Sequence, residues 1–69
     1  MHNSEALGQR IRKLRDAKGW SQERLAEAAY LDRSYLAGIE RGLRNPSVRS
    51  LLKVAGALKV RIGELFSED

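Results

Sequence analysis

At the ordinary scale of about 100 to 200 residues per domain, the 69-residue chain is expected to form a single domain over 1–69, with no separate ligand-sensing module. At 42% apolar and 32% charged it is too apolar for a disordered tail and too charged for a membrane span; with no cysteine and one histidine, no disulfide, metal or cofactor is expected. Thirteen Lys and Arg against nine Asp and Glu give +4, but residues 1–61 hold every cation and only six acids, a charge of +7 that suits a polyanion as well as it suits a solvated basic surface.

The apolar residues recur at helical spacing and never alternate as in a half-buried strand, so the chain is read as all-α. His2 belongs to a loose N-terminus. Leu7, Ile11 and Leu14 mark a first helix from about Ser4 to Lys18, closed by Gly19. Ser21 is the expected cap of a second helix running to about Ala29, with Trp20 placed to staple onto Leu25. The same pattern returns at once: Leu31, a capping Asp32 and Leu36 open a short third helix that ends near Arg41, before Gly42. Asn45, Pro46 and Ser47 start a fourth, whose expected buried stripe is Val48, Leu51, Leu52, Ala55 and Leu58. A last helical turn covers Ile62 to Phe66.

There is no nucleophile paired with a base, no HExxH and no glycine-rich phosphate loop, so an enzyme is not expected. Met1 to Arg15 contains no continuous apolar run of the kind a signal peptide needs, and a cytoplasmic location follows as the expectation.

Two short helices joined by three or four residues, the second followed by a basic loop, form a helix-turn-helix arrangement at helices 2 and 3. With Gln22 as the first residue of a twenty-residue unit, small Ala26 falls where the two helices approach, and Leu36 and Ile39 fall on the inward side. Over residues 5 to 66 the chain resembles the Cro and lambda-repressor type of helix-turn-helix proteins, the XRE family, and the stretch SQERLAEAAYLDRSYLAGIERGLRNPSVRSLLKVAGALKVRIGELF is similar to that family from end to end. The segment LDRSYLAGIERGLRNPS resembles the restriction-modification controller proteins within it. This resemblance implies a compact five-helix, lambda-repressor-like domain. It also implies a homodimer on a double-stranded palindromic DNA operator and transcriptional control as activator or repressor, with RNA polymerase a further partner in the activator case.

At 100° per residue, and with Leu36 and Ile39 inward, Ser34, Ala37, Gly38 and Arg41 point most nearly outward, flanked by Arg33 and Tyr35. Gly38 costs roughly 1 kcal/mol against alanine in a helix interior, which a close approach to a major-groove floor would justify. Arg33 is the first choice for base reading, since an arginine near the start of a recognition helix makes two hydrogen bonds to guanine. Ser34 reaches a base edge or phosphate, Tyr35 offers its ring to a base or sugar and its hydroxyl to a phosphate, and Ala37 and Gly38 complete the base-contacting set. The resembling family uses these helix-start positions, and the one matching Gly38, on bases. Phosphate contacts are expected from Gln22, at a helix start where free N–H groups attract anions, and from Arg41, Arg44 and Asn45 in the following loop.

Arg15 flanks the first helix's buried stripe and Glu40 lies toward the core side of the third, so the two are expected to pair as a fold support; the resemblance implies the same ion pair. Leu58, Val60, Ile62, Leu65 and Phe66 are assigned to a dimer contact, because one closing turn cannot cover so many apolar residues. Two positions depart from the family. Tyr30 stands where many members have glycine in a positive-φ turn, so it either accepts the strain or the turn differs; Arg61 replaces the usual Ser or Asp cap of the last helix. The alternative is an antitoxin of the same fold whose main partner is another protein. RNA binding is weaker still, for want of an aromatic stacking surface.

Overall fold

The computed structural model describes residues 4–67; His2 and the last two acids lie outside them. Four α-helices, α1 (Ser4–Ala17), α2 (Gln22–Ala29), α3 (Arg33–Glu40) and α4 (Val48–Leu58), are followed by a 3₁₀ turn at Ile62–Phe66, and there are no strands among the described residues. The fifth expected helix is thus a tighter, single 3₁₀ segment.

The helix starts follow from side-chain chemistry. Ser21 accepts from the Arg24 backbone N–H at 3.0 Å, Asp32 from those of Ser34 and Tyr35, and Ser47 from that of Ser50, each replacing a partner that the first helical turn lacks. Of the three residues expected to start α4, Ser47 is the cap, and Pro46 sits ahead of it, outside the first helical turn. Arg61 has no acceptor with which to cap; instead the Glu64 carboxylate reaches back to its backbone N–H at 3.2 Å.

All four helices end in one motif, with paired N–H groups folding back on the last carbonyls: Gly19 and Trp20 onto Asp16 and Arg15, Tyr30 and Leu31 onto Glu27 and Ala26, Gly42 and Leu43 onto Ile39 and Gly38, Lys59 and Val60 onto Gly56 and Ala55. This closure needs a left-handed residue. Glycine supplies it twice, at Gly19 and Gly42, whereas Tyr30 and Lys59 adopt it at φ 57° and 60°. Tyr30 thus accepts the strain and the turn keeps the glycine geometry.

α1 packs on α3 and on the 3₁₀ turn, while α2 packs on α3 and α4. Ile11, Leu25, Leu36, Ile39, Val54 and Leu65 are wholly buried where these faces meet. Gly8 is the tightest point: a Cβ there would lie 2.3 Å from the Ile39 carbonyl oxygen, so the two backbones touch at this residue. On α4 the buried stripe is Leu51, Val54, Ala55 and Leu58, at i, i+3, i+4 and i+7. Val48 and Leu52, expected in that stripe, are 67% and 54% exposed, because the stripe faces α2 and the 3₁₀ turn and leaves both outside it. No described helix is long and apolar enough to cross a membrane.

Candidate nucleic-acid interface

The turn between α2 and α3 is only Tyr30, Leu31 and Asp32, and it fixes α3 with its outer face to solvent. Asp32 ends the turn and caps α3. The Ser34 hydroxyl donates to its carboxylate, and this bond, with those from the Tyr35 and Ser34 backbone N–H groups, holds the Asp32 carboxyl below its usual range. The carboxylate is therefore charged and spent on the helix start, beside an exposed Arg33.

The residues expected to read bases occupy different surroundings. Arg33 and Ser34 are exposed and Ala37 is half-buried, all on the open side of α3. Tyr35 is half-buried, and its hydroxyl donates to Ser50 Oγ on α4 at 3.3 Å, so its ring lies at the edge of α3 toward α4. Ser50 is in turn bonded by the Ser47 hydroxyl at 3.1 Å, which anchors the tyrosine to the start of α4. Gly38 is buried and does not present a bare backbone to a groove: Arg44 folds back from the loop across it, with Cγ 2.7 Å from the position of a Gly38 Cβ. The Arg44 guanidinium lies over the Tyr35 ring, 5.8 Å from its centroid.

The expected phosphate-contacting residues lie along the same side. Arg41 ends α3 and is exposed; Asn45 is exposed and accepts from the Ser4 hydroxyl. Gln22 opens α2, but one N–H of its side-chain amide donates to Glu40 Oε1 at 3.0 Å, so its side chain serves the fold and only its second N–H and the helix start face outward tasks. Arg44 folds back over Gly38 and the Tyr35 ring on α3 and does not extend beyond the helix.

Behind this face, Arg15 and Glu40 are joined through Nε to Oε2 at 2.7 Å and Nη2 to Oε1 at 2.9 Å, with Arg15 Nη1 also donating to the Trp20 carbonyl at 2.7 Å. One carboxylate thereby ties α1, α2 and α3 together. Two members of the expected dimer contact are corrected: Leu58 and Leu65 are 2% and 0% exposed and belong to the core, since the 3₁₀ turn folds back onto α1 and α4 and buries them. Val60, Ile62 and Phe66 pack on the core's edge and remain half-buried.

Sequence reasoning missed Ser50 and the return of Arg44. The first had a signal, since Ser50 stands three residues after the cap Ser47; the second had none, because a loop side chain is outside helical periodicity.

Among described residues no group of His, Cys, Asp or Glu could hold a metal ion. The surface so assembled is a short helix with three arginines along its outer side and one capped carboxylate.

The helix-turn-helix family profile matches residues 11–65. The restriction-modification controller protein C.AhdI from Aeromonas hydrophila has a crystal structure that superposes with a TM-score of 0.89 at 55% identity, covering 90% of this chain and 94% of that one. The crystal structure of SinR in complex with DNA superposes with a TM-score of 0.84 at 45% identity, covering 88% of this chain and 98% of that one. Among curated proteins, SinR of Bacillus subtilis is 46% identical over 63 residues and the immunity repressor of Bacillus phage phi105 likewise, covering 90% and 91% of this chain. The chain spans 57% of the first and 44% of the second, about half the length of these relatives. The chain belongs to the helix-turn-helix family, in the type that includes the restriction-modification controller proteins.

Proposed function

We propose that the protein is a sequence-specific, homodimeric DNA-binding transcriptional regulator of the controller kind, which reads a palindromic operator with α3 in the major groove. The observation that carries this reading is the outer side of α3, where exposed Arg33 stands beside Ser34 and Ala37 on a scaffold 55% identical to a controller protein and 45% identical to a regulator solved with DNA. Arg33 reads a guanine through its two-pronged donor set. Arg41, Asn45 and the start of α2 hold the phosphates that fix the register. Val60, Ile62 and Phe66 supply the dimer contact, and two copies of α3 meet half-sites one helical turn apart, roughly 34 Å. Occupancy is then set by protein concentration in the cytoplasm, and activation would bring RNA polymerase against the bound dimer.

Selection of binding sites from genomic DNA with the purified protein, followed by salt titration on the recovered site, tests this. The expected result is a palindrome whose sequence preference relaxes in Arg33→Ala, with a slope of log affinity on log salt of about 0.9 per phosphate engaged. Weak, sequence-independent binding that is equally salt-sensitive in both proteins would overturn it.

A further inference from the structure

The outer side of α4 carries two parallel rows of opposite character. Val48 and Leu52, one turn apart, are apolar and exposed; Arg49 and Lys53, each one residue further on, repeat the spacing as cations, and α4 contains no acid. Among the described residues neither cation forms an ion pair. Leu52 and Lys53 also line an open cleft of about 260 Å³ between α4 and the end of α2, with Tyr30 on its α2 side. The rest of the lining is alanine and glycine, so the Tyr30 hydroxyl and the Lys53 ammonium are its only polar side-chain groups. Its volume falls short of the roughly 300 Å³ from which small-molecule pockets start, and it suits side chains presented by another macromolecule. Two residues here are unfavourable for the protomer alone. Tyr30 keeps an exposed ring on a left-handed backbone that glycine would adopt without strain. Gly56, which lines the cleft, lies inside α4, where alanine is the better helix former, and a Cβ on it would meet nothing within 4 Å. Both choices fit a face that receives a partner, since aromatic rings are favoured interface anchors and a missing side chain lets a second backbone approach.

We propose that this cleft, with the adjoining rows of α4, docks an amphipathic helix of another protein, apolar on one side and acidic beside it. The docked helix lays its apolar residues against Tyr30, Leu52 and Val48 and comes nearest at Gly56, while carboxylates one turn apart on it meet Arg49 and Lys53. Charge complementarity selects this occupant. A second copy offering the same face would set Arg49 and Lys53 against themselves, with no acid on α4 to answer them. A DNA backbone would satisfy the two cations but press its phosphates on Val48, Leu52 and the Tyr30 ring, an apolar surface of the kind that marks protein contacts. The face shares no residue with the proposed DNA-reading surface of α3, so the docking does not depend on that reading.

Titration of the isotope-labelled full chain with two synthetic amphipathic helical peptides of about 15 residues, followed by amide NMR shifts, tests the docking. Both peptides are leucine-rich on one side; one carries glutamates beside that side and the other lysines in their place. The glutamate peptide is expected to move the amides of residues 28–30 and 52–57, and the lysine peptide to leave them unmoved. Arg49→Glu combined with Lys53→Glu is expected to reverse that preference. Leu52→Asn and Gly56→Gln, both at exposed positions and checked for native thermal unfolding, are each expected to weaken the glutamate peptide by roughly 5- to 30-fold. Tyr30→Gly gives a readout that a purely structural role would not: the melting temperature rises while affinity for the glutamate peptide falls. Binding of neither peptide, or equal binding of both, would overturn the proposal. Movement of the same amides on raising the protein concentration alone would make the face a contact between copies of the chain. Movement by a DNA duplex, abolished by Arg49→Glu with Lys53→Glu and untouched by Leu52→Asn, would place it on a nucleic-acid backbone. Either of these last results also overturns the assignment to a protein partner.

Discussion

Arg15 and Glu40 meet through two parallel hydrogen bonds of 2.7 and 2.9 Å in the interior, between the end of α1 and the end of α3. Both side chains are nearly sealed from water, at 9% and 2% exposure, so each charge depends on the other. The bond to Glu40 also raises the Arg15 pKa above its ordinary value against the opposing effect of burial, so the guanidinium remains charged wherever the protein is folded near neutral pH. Glu40→Gln leaves Arg15 charged and half-partnered. It is expected to cost about 3 to 5 kcal/mol in urea unfolding, with Arg15→Met a comparable loss from the other side. Unchanged urea midpoints would show that the pair contributes nothing to the fold.

Gly8 sets how closely α1 and α3 can pack. A Cβ at this position would lie 2.3 and 2.5 Å from two backbone oxygens of α3, and backbone cannot turn aside as a side chain can. Gly8→Ala is therefore expected to destabilise by about 1 to 3 kcal/mol even though alanine is the better helix former by about 1 kcal/mol. A thermal unfolding midpoint equal to or above that of the parent chain would contradict this contact.

Much of this architecture is legible in the sequence because its signals are local. Ser21, Asp32 and Ser47 announce helix starts through side chains that bond three residues ahead, and Gly19 and Gly42 announce ends through a conformation only glycine adopts freely. The Arg15 and Glu40 pairing was legible through the expectation that charges beside a core need partners. What periodicity cannot convey is which neighbour covers a given face. Leu65 read as one apolar residue too many for a single turn, yet the 3₁₀ segment folds it into the core. Gly38 read as open backbone on the outward face, but the side chain that fills it comes from six residues later in the loop. Gly8 lies on the first helix's inner side without any local mark of the backbone it touches.

Acid should loosen the start of α3. Its cap Asp32 has a depressed pKa in the folded protein, caused first by the Ser34 hydroxyl, so the stabilisation is present above the unfolded value near 3.8 and is lost as pH falls through the lower folded value. The stability of the parent chain is expected to fall between pH 5 and the folded pKa more steeply than that of Asp32→Asn, which keeps an acceptor but cannot titrate. Parallel urea midpoints for the two proteins across this pH range would rule out Asp32 as a contributor to acid sensitivity.

Tyr30 holds the left-handed closing position of α2 at φ 57° with 85% of its surface exposed, so it bears backbone strain and little of its side chain is buried in return. Tyr30→Gly removes that strain and is expected to stabilise by about 1 kcal/mol, a rise of roughly 4 to 8 °C in Tm for a chain of this size. The test is a thermal melt. A lower Tm would mean that the exposed ring makes contacts worth more than the strain.

The closing turn separates two roles that its composition runs together. Leu65 is fully buried against the helices, so Leu65→Asp places a carboxylate in the core and is expected to unfold the chain, not to release a folded monomer. Phe66 is half-buried at the core's edge together with Val60 and Ile62, and Phe66→Asp is expected to leave the helical circular dichroism intact while shifting the protein from dimer to monomer in sedimentation equilibrium. The physical reason is the different cost of the new charge. At position 65 it has no access to water in the protomer, whereas at position 66 it is desolvated fully only when a second copy closes over it. A folded Phe66→Asp protein that dimerises as strongly as the parent would move the dimer contact away from this turn and toward the exposed side of α4, where Val48 and Leu52 lie open.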